Sequence, residues 1–443
     1  MVSKIKKIYK NNPDLITLKL KDYYIIYFES LCSLDKLNEY ITKPIINSGN
    51  ISSPNIKKIT FEKHETYLNN GYAIIIKNKK IIAAEVKGNL QRSIESPSVE
   101  PALNGPKDSL TENIQTNLGL IKRRIKTKDL KIINKTVGTY SNTLLDILYL
   151  DKLADKDIIN DIIKRIDNIS EKEILDSGNL SIILQEDNKC DYPVIYLSER
   201  PDEISNSLVD GKIVILLDNS PYALIMPTYF VDFINPITDK YLKPIQNNFI
   251  KLIRYICLVV TLIEPAYYIA TINYNQETIP TSLLNSFIDQ RKGVPFPSIF
   301  EALLMLIIYE ILRESDSRFP SKYGSTISIL GALILGEAAV KAGIVSPIMI
   351  ITIALSYIAS LVFNDPDFNN ELRVYRLLFL LSAAVLGLYG ILLVFIFMLI
   401  RLSSSNSFKK PYTTPLSPFN LNYFKKYIWR NNKWKRSLSL LHH

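Results

Sequence analysis

Histidine and cysteine are scarce in this 443-residue chain, with three of each. Cys32, Cys190 and Cys257 lie far apart, and His64 stands alone ahead of the terminal His442 and His443. No pair has the spacing of a metal site or a redox motif, which sets aside zinc and His-based chemistry. Glycine is thin as well, 15 residues, and none falls in a phosphate-cradling loop or a nucleophile elbow. Carboxylates such as Glu301 and Glu310 occur without a nucleophile, base or metal set beside them. The chain is not expected to be an enzyme, and no cofactor or metal is expected.

Acid is missing from one region in particular. Beyond Ile400 stand Arg401, Lys409, Lys410, Lys425, Lys426, Arg430, Lys433, Lys435 and Arg436, with no Asp or Glu among them. The formal charge of the whole chain is +10, so the remainder is nearly neutral. The excess is a tail, and no nucleic-acid partner is expected. Such a tail attracts anionic lipid at roughly 1 kcal/mol per basic residue near the surface, or serves simply to fix topology. The start, "MVSKIKKIYKNNPDLITLKLKDYY", lacks the continuous apolar core of a signal peptide. The N-terminal half is therefore expected to stay in the cytoplasm.

Long apolar runs are absent from the first half and dominate the second. From Leu252 onward such runs alternate with short polar gaps. The expected architecture is an α/β cytoplasmic region of two small subdomains, 1–100 and 101–245, an all-α membrane domain over 246–402, and a basic cytoplasmic tail over 403–443. In the first subdomain, "YYIIYFES", "YAIIIK" and "KIIAAEV" read as strands, the last two joined by an Asn78-Lys79 turn. A Pro-containing stretch, "ESPSVEPALNGPKDS", reads as a linker or crossing loop. Ser109 with Glu112 then suggests a capping box opening a helix whose apolar stripe is Leu110, Ile114, Leu118, Ile121 and Ile125. Lys122, Arg123, Arg124 and Lys126 crowd its C-terminal end, where the helix dipole favours cations; the cluster reads as a solvated helix end, with a phosphate- or lipid-binding patch as the alternative.

The second subdomain alternates "LKIINKTV", "TLLDILYL", a helix over about 155–167, and "LSIILQE" read as a strand near 180–186. Pro201 suits a first helical position, with Asp202 and Glu203 in the first turn and Gly211 as the stop. "KIVILLD" and "YALIMP" form the closing hairpin.

Four runs are apolar enough to span a bilayer: about 252–272, 325–343, 346–363 and 375–400. The run 298–312, with Glu301 and Glu310, reads as interfacial or re-entrant. Four crossings keep the soluble region and the basic tail on one side and put the acidic "NDPDFNNE" loop on the other. Ser328, Ala332, Gly336, Ala339 and Gly343 share one face of the second span, a spacing that lets helices approach closely. Glu337 and Lys341 on that span are one turn apart and fit either an internal pair or a pore mouth. Glu264 precedes Pro265 in the first span and must face protein or water. Ala383, Gly387 and Gly390 repeat the small-residue device in the last span. Four spans are too few for one chain to enclose an ample aqueous path, whereas an oligomeric ring could.

Several blocks carry a resemblance. In order they are "IESPSVEPALNGPKDSLTENIQTNLGLIKRRIK", "SERPDEI", "LVDGKIVILLDNSPYALIMP", "VPFPSIFEALLMLIIYEILRES", "GALILGEAAVKAGIVSP" and "SFKKPYTTPLSP". Their order and spacing over about 90–418 resemble the A subunit of the GerA-type spore germination receptors. The resemblance implies a subunit of a nutrient-responsive receptor in the inner membrane of the spore. Its partners would be a transporter-like B subunit, which binds the nutrient, and a lipoprotein C subunit. It further implies a homo-oligomeric ring, five-fold on the family's pattern, forming an ion channel that opens on nutrient binding and so acts in signal transduction. The family usually has DG where this chain has Asp218-Asn219, and glutamine where it has Glu337.

On that reading Glu199, Arg200 and Asp202 are candidate coupling residues, joined by ion pairs between subdomains or subunits. Ala332, Leu335, Gly336, Ala339 and Val340 are candidate pore-lining residues, and Glu264, Glu337 and Lys341 the intramembrane charges. Two other functions compete: a solute transporter, and a membrane signalling scaffold that conducts nothing.

Overall fold

The computed structural model describes residues 1–9, 12–47, 49, 51–77, 80–88, 100, 105–185, 191–318 and 335–417. Two antiparallel five-stranded sheets build the soluble region. In the first, the order is β1 (Leu15–Leu20), β2 (Tyr23–Phe28), β4 (Tyr72–Lys77), β5 (Lys80–Glu85) and β3 (Ile56–Lys58). In the second it is β6 (Leu130–Val137), β7 (Thr143–Leu150), β9 (Ile213–Leu217), β10 (Ala223–Met226) and β8 (Tyr196–Ser198). These strands are rich in Ile, Leu and Tyr, side chains that fit a pleated, half-buried surface. All five residues of β9 are buried because helices and loops cover both faces of its sheet. The Asn78-Lys79 turn lies outside the described residues.

Three sequence readings need correction here. The helix begins at Ile114, not after Ser109; its cap is Asn113, whose side chain accepts from the Thr116 N–H. Ser109 instead donates to the Glu199 carbonyl, and Leu110 joins the same core from an extended segment. The stretch near 180–186 is a helix, Ser177–Gln185. Leu180 and Leu184 face the core one turn apart while Ile182 points to solvent, so the period is helical and the apolar run misled. The basic end of the Ile114–Arg124 helix is not simply solvated. Lys122 is buried and pairs with Asp14 just before β1, its ammonium also 4.0 Å from the Phe28 ring centroid. Burial pushes the Lys122 pKa down against the pull of Asp14. This pair ties the first sheet to the second.

The helical half departs further from expectation. Pro244–Asn273 leaves the soluble region, and Ser298–Arg318 starts beside its far end, where the Ser298 hydroxyl donates to Asn273 Oδ1 at 2.8 Å. That second helix runs back through the bundle, packing Ala302, Met305 and Leu306 against Ile269, Met349 and Ile353. It has 21 residues, longer than the 298–312 run, and is packed within the bundle. Pro347–Ser360 has only 14 residues, about 21 Å at 1.5 Å per residue, less than the 346–363 span expected. The 375–400 span is not one straight crossing either. Residues 366 to 404 carry a break at Gly387 (φ 60°, ψ −141°). Tyr375 and Arg401 both bond Asp191, which only a hairpin folded at Gly387 allows. Its arms are about 31 and 26 Å long.

Two helical segments among the described residues, Pro244–Asn273 and Pro366–Ser404, are long and apolar enough to cross a membrane by length and composition. The second meets that test as a hairpin. Much of its apolar surface, including Val385, Tyr389 and Ile400, is exposed, as a lipid-facing surface would be. The acidic stretch after Phe363 is no outer loop. Asp365 caps a helix with Pro366 at its first turn, and Phe368 stacks on Phe233 of the soluble region with ring centroids 5.1 Å apart.

Candidate site coupling the soluble region to the helical bundle

The segment Ser198 to Asp202 is where the second sheet, the crossing loop and the entry to the bundle meet. Pro201 opens the Pro201–Val209 helix with Asp202 and Glu203 in its first turn. Gly211 closes it in the left-handed region (φ 84°), letting the Lys212 N–H reach the Ser207 carbonyl at 3.0 Å. Arg200, at 1% exposure, is among the largest wholly buried side chains. Its guanidinium holds Asp202 through two bonds, 3.1 and 2.7 Å, and donates to the Glu100 carbonyl at 3.2 Å. Tyr241 donates to the same Asp202 oxygen at 2.6 Å. Burial alone would raise the Asp202 pKa, but the bonds from Arg200 and Tyr241 outweigh it and hold it below the usual range.

Glu100 completes the node from the crossing loop, accepting from Tyr196, from Ser198 and from the Glu199 N–H. Burial raises its carboxyl despite those donors. Glu199 returns the contact, its side chain accepting the Glu100 N–H at 3.0 Å. Asp202, Arg200 and Glu199 thus join the crossing loop to Tyr241, three residues before Pro244. The Arg200–Asp202 ion pair itself lies within the motif. On the bundle side, Arg254 grips Asp239 through two bonds, 2.6 and 2.8 Å, and donates to the Ile234 carbonyl. Where the chain has Asp218-Asn219, Asn219 takes φ 66°, a region Asn tolerates better than most side chains, so the turn survives without glycine.

A second joint lies at the exit. Asp191 accepts from Tyr375 on the first arm of the hairpin and from Arg401 on the second. Hydrogen bonds from Arg401 hold the Asp191 pKa below the usual range. Beyond Ser404 the chain forms a two-residue ladder, Asn406–Ser407 with Lys410–Pro411, and Tyr412 stacks on Tyr192 at 6.0 Å. Lys409 and Lys410 pair with Asp161 and Asp155 of the soluble region. The start of the supposed tail is therefore a docked segment, and residues from 418 lie outside the described region.

Inside the bundle, Pro265 cannot donate to the Thr261 carbonyl, and the Ser356 hydroxyl takes that acceptor at 2.9 Å. Glu264, one residue earlier, faces Thr352. Glu301, wholly buried, accepts the Ser346 N–H and hydroxyl at 2.8 and 2.7 Å and so caps the Pro347 helix from across the bundle. Lys341 Nζ lies 2.6 Å from Glu337 on an exposed face. Gly336 and Ala339 turn inward, toward Ile350 and the Met349 cluster, while Leu335 is exposed. Val340 is half-buried, and Ala332 lies outside the described residues. Sequence reasoning missed Glu100, Tyr241, Asp239–Arg254 and Asp191–Arg401. The isolated Arg254 at the head of an apolar run was the one available signal.

A soluble α/β region of two sheets, joined at entry and exit to an apolar helical bundle, is the layout of a membrane-associated protein with a large headpiece. The chain belongs to the Bacillus/Clostridium GerA spore germination protein family, whose pattern matches residues 3–439. It is 32% identical to spore germination protein KA of Bacillus subtilis over 98% of this chain and 84% of that one. Spore germination protein A1 of Bacillus subtilis is 33% identical over 93% and 89%, and the membrane protein YfkQ of that organism 34% identical over 93% and 83%. A solved structure, the N-terminal domain of the A subunit of the Bacillus megaterium spore germinant receptor GerK3, covers 52% of this chain and 94% of its own. Its identity is 22% and its TM-score 0.40.

Proposed function

We propose that this chain is the A-type subunit of a nutrient-responsive germination receptor in the inner membrane of the spore. It works with a transporter-like B subunit, which binds the nutrient, and a lipoprotein C subunit. Copies of it assemble into a ring whose helices form the ion channel, with the soluble region and the tail in the cytoplasm. The observation that carries this reading is the double joint. A tilt of the soluble region reaches the first bundle helix through Tyr241 and Asp239, and the last hairpin through Asp191. Rigid side-chain links of this kind transmit motion where a flexible linker would absorb it.

Within the ring, Leu335 and Val340 narrow the path, and Gly336 and Ala339 let their helix lie close to its neighbour. A hydrophobic constriction of that sort gates by dewetting. The inward packing of Gly336 and Ala339 also suits a scaffold that conducts nothing. Single-channel recording of the purified protein in liposomes separates the readings: discrete conductance supports the channel, saturable solute uptake a transporter, and silence of a properly assembled receptor the scaffold.

A further inference from the structure

Charge is unevenly balanced at one place in the bundle. Arg313 and Glu310 on the Ser298 helix, and Arg373 and Arg376 on the first hairpin arm, converge beside Ser356. Among the described residues, these three guanidiniums share the carboxylate of Glu310. Arg373 bonds Glu310 and Asn370, and its buried Nε has no partner among the described residues. Arg376 is 3% exposed, yet among the described residues it meets only Glu310 at 3.4 Å and Ser356 at 3.5 Å. Both contacts lie at the outer limit of hydrogen-bond length, so they hold that cation weakly. Arg313 makes no ion pair among the described residues.

The depth of this cluster is fixed by its neighbour. Tyr375, one residue before Arg376, bonds Asp191 of the soluble region, so the arginines lie at the boundary where the bundle meets that region. Tyr309 and Tyr357 stack there with ring centroids 5.2 Å apart, as aromatic residues do at a bilayer interface. An anion bearing several oxygens matches planar guanidinium forks better than a second carboxylate squeezed between helices.

We propose that Arg313, Arg373 and Arg376 form a binding site for the phosphodiester headgroup of an anionic phospholipid in the leaflet facing the soluble region. The site rests on the membrane reading given above. Basic pockets between helices at that depth suit such headgroups.

The test uses the full-length protein in non-ionic detergent and follows its melting temperature. It is titrated with dihexanoyl phosphatidylglycerol, with phosphatidylcholine of the same chain length, and with inorganic phosphate. Stabilisation by the anionic phosphatidylglycerol should be half-maximal at a concentration at least tenfold below that of the zwitterionic phosphatidylcholine. In the Arg313→Gln/Arg373→Gln variant the two curves should coincide. Should that variant not fold, Arg313→Gln alone, which breaks no described ion pair, should narrow the preference about threefold. Equal response to both lipids in the parent, or an unchanged preference in the variants, overturns the proposal. So does full stabilisation by phosphate alone, which would mark a small-anion site. A protein that stays soluble without detergent defeats the membrane reading itself, whereas one needing detergent but blind to headgroup defeats only this site.

Discussion

Replacing Lys122 by methionine should loosen the joint between the two sheets of the soluble region. The Lys122 and Asp14 side chains are 4% and 1% exposed, so solvent does little to screen either charge. Removing one member of such a pair leaves the other buried and unpaired, which costs about 3–5 kcal/mol. Asp14 keeps two bonds, from the Ser30 N–H at 2.8 Å and the Ser30 hydroxyl at 2.7 Å, which favours the lower end. The lost ammonium contact with Phe28 adds roughly 1 kcal/mol. At about 2–4 °C per kcal/mol for a unit of this size, a loss near 4 kcal/mol lowers the melting temperature by about 8–16 °C.

The Asp14→Asn/Lys122→Met variant removes both charges and should recover most of the loss, because no lone buried charge remains. Urea unfolding would give the energies. Hydrogen exchange would locate the effect in β1 and the Ile114–Arg124 helix. A cost below about 1 kcal/mol for Lys122→Met, or simple additivity in the double variant, would refute the idea that this pair holds the sheets together.

Other perturbations probe a buried carboxylate, the joints, the turn and the proposed pore. Asp146 has its pKa pushed up to about 6 by burial, so its protonated form favours the fold. The stability it contributes is present below about pH 4 and lost as pH rises through 6, roughly 3 kcal/mol in all. Asp146→Asn should flatten that slope in a urea titration across pH 4–7, and an unchanged slope would count against it. Arg200→Ala strips Asp202 of two bonds; germination and receptor assembly should both fall, and normal values for both would end the coupling argument. Gly387→Ala forces a side chain into a left-handed turn 3.1 Å from Tyr274, so it should cost more than about 1 kcal/mol and reduce the yield of folded protein. If the proposed channel is right, Leu335→Ala and Val340→Ala should leak ions without nutrient, whereas normal flux in both assembled variants would count against this helix.

Features written in neighbouring residues were legible. Pro201 with Asp202 and Glu203 starts a helix where it should, and Gly211 ends it, because both signals act over one turn. The strands β2, β4, β5, β9 and β10 follow from their composition. What failed was decided by distant partners. Nothing near Lys122 announces that Asp14, 108 positions earlier, will bury it. Gly387 stood out as a small residue, but a tight turn and close helix packing ask for the same glycine. Asp365-Pro366 carried the same start signal as Arg200-Pro201, and the acidic residues around it obscured the reading. Of the proposed coupling set, Glu199, Arg200 and Asp202 were visible by their proximity in sequence, whereas Glu100 and Tyr241 were brought to them only by the fold.

The docking of Tyr412 has a consequence for biosynthesis. Its hydroxyl bonds the Pro193 carbonyl, 219 positions earlier, and its ring completes an aromatic stack with Tyr192 and Phe230. During translation that stack waits uncovered while every intervening helix is made. The headpiece is finished last, by residues that leave the ribosome after the bundle, so a nascent chain stopped before residue 405 would show chaperones and proteases an open aromatic seam.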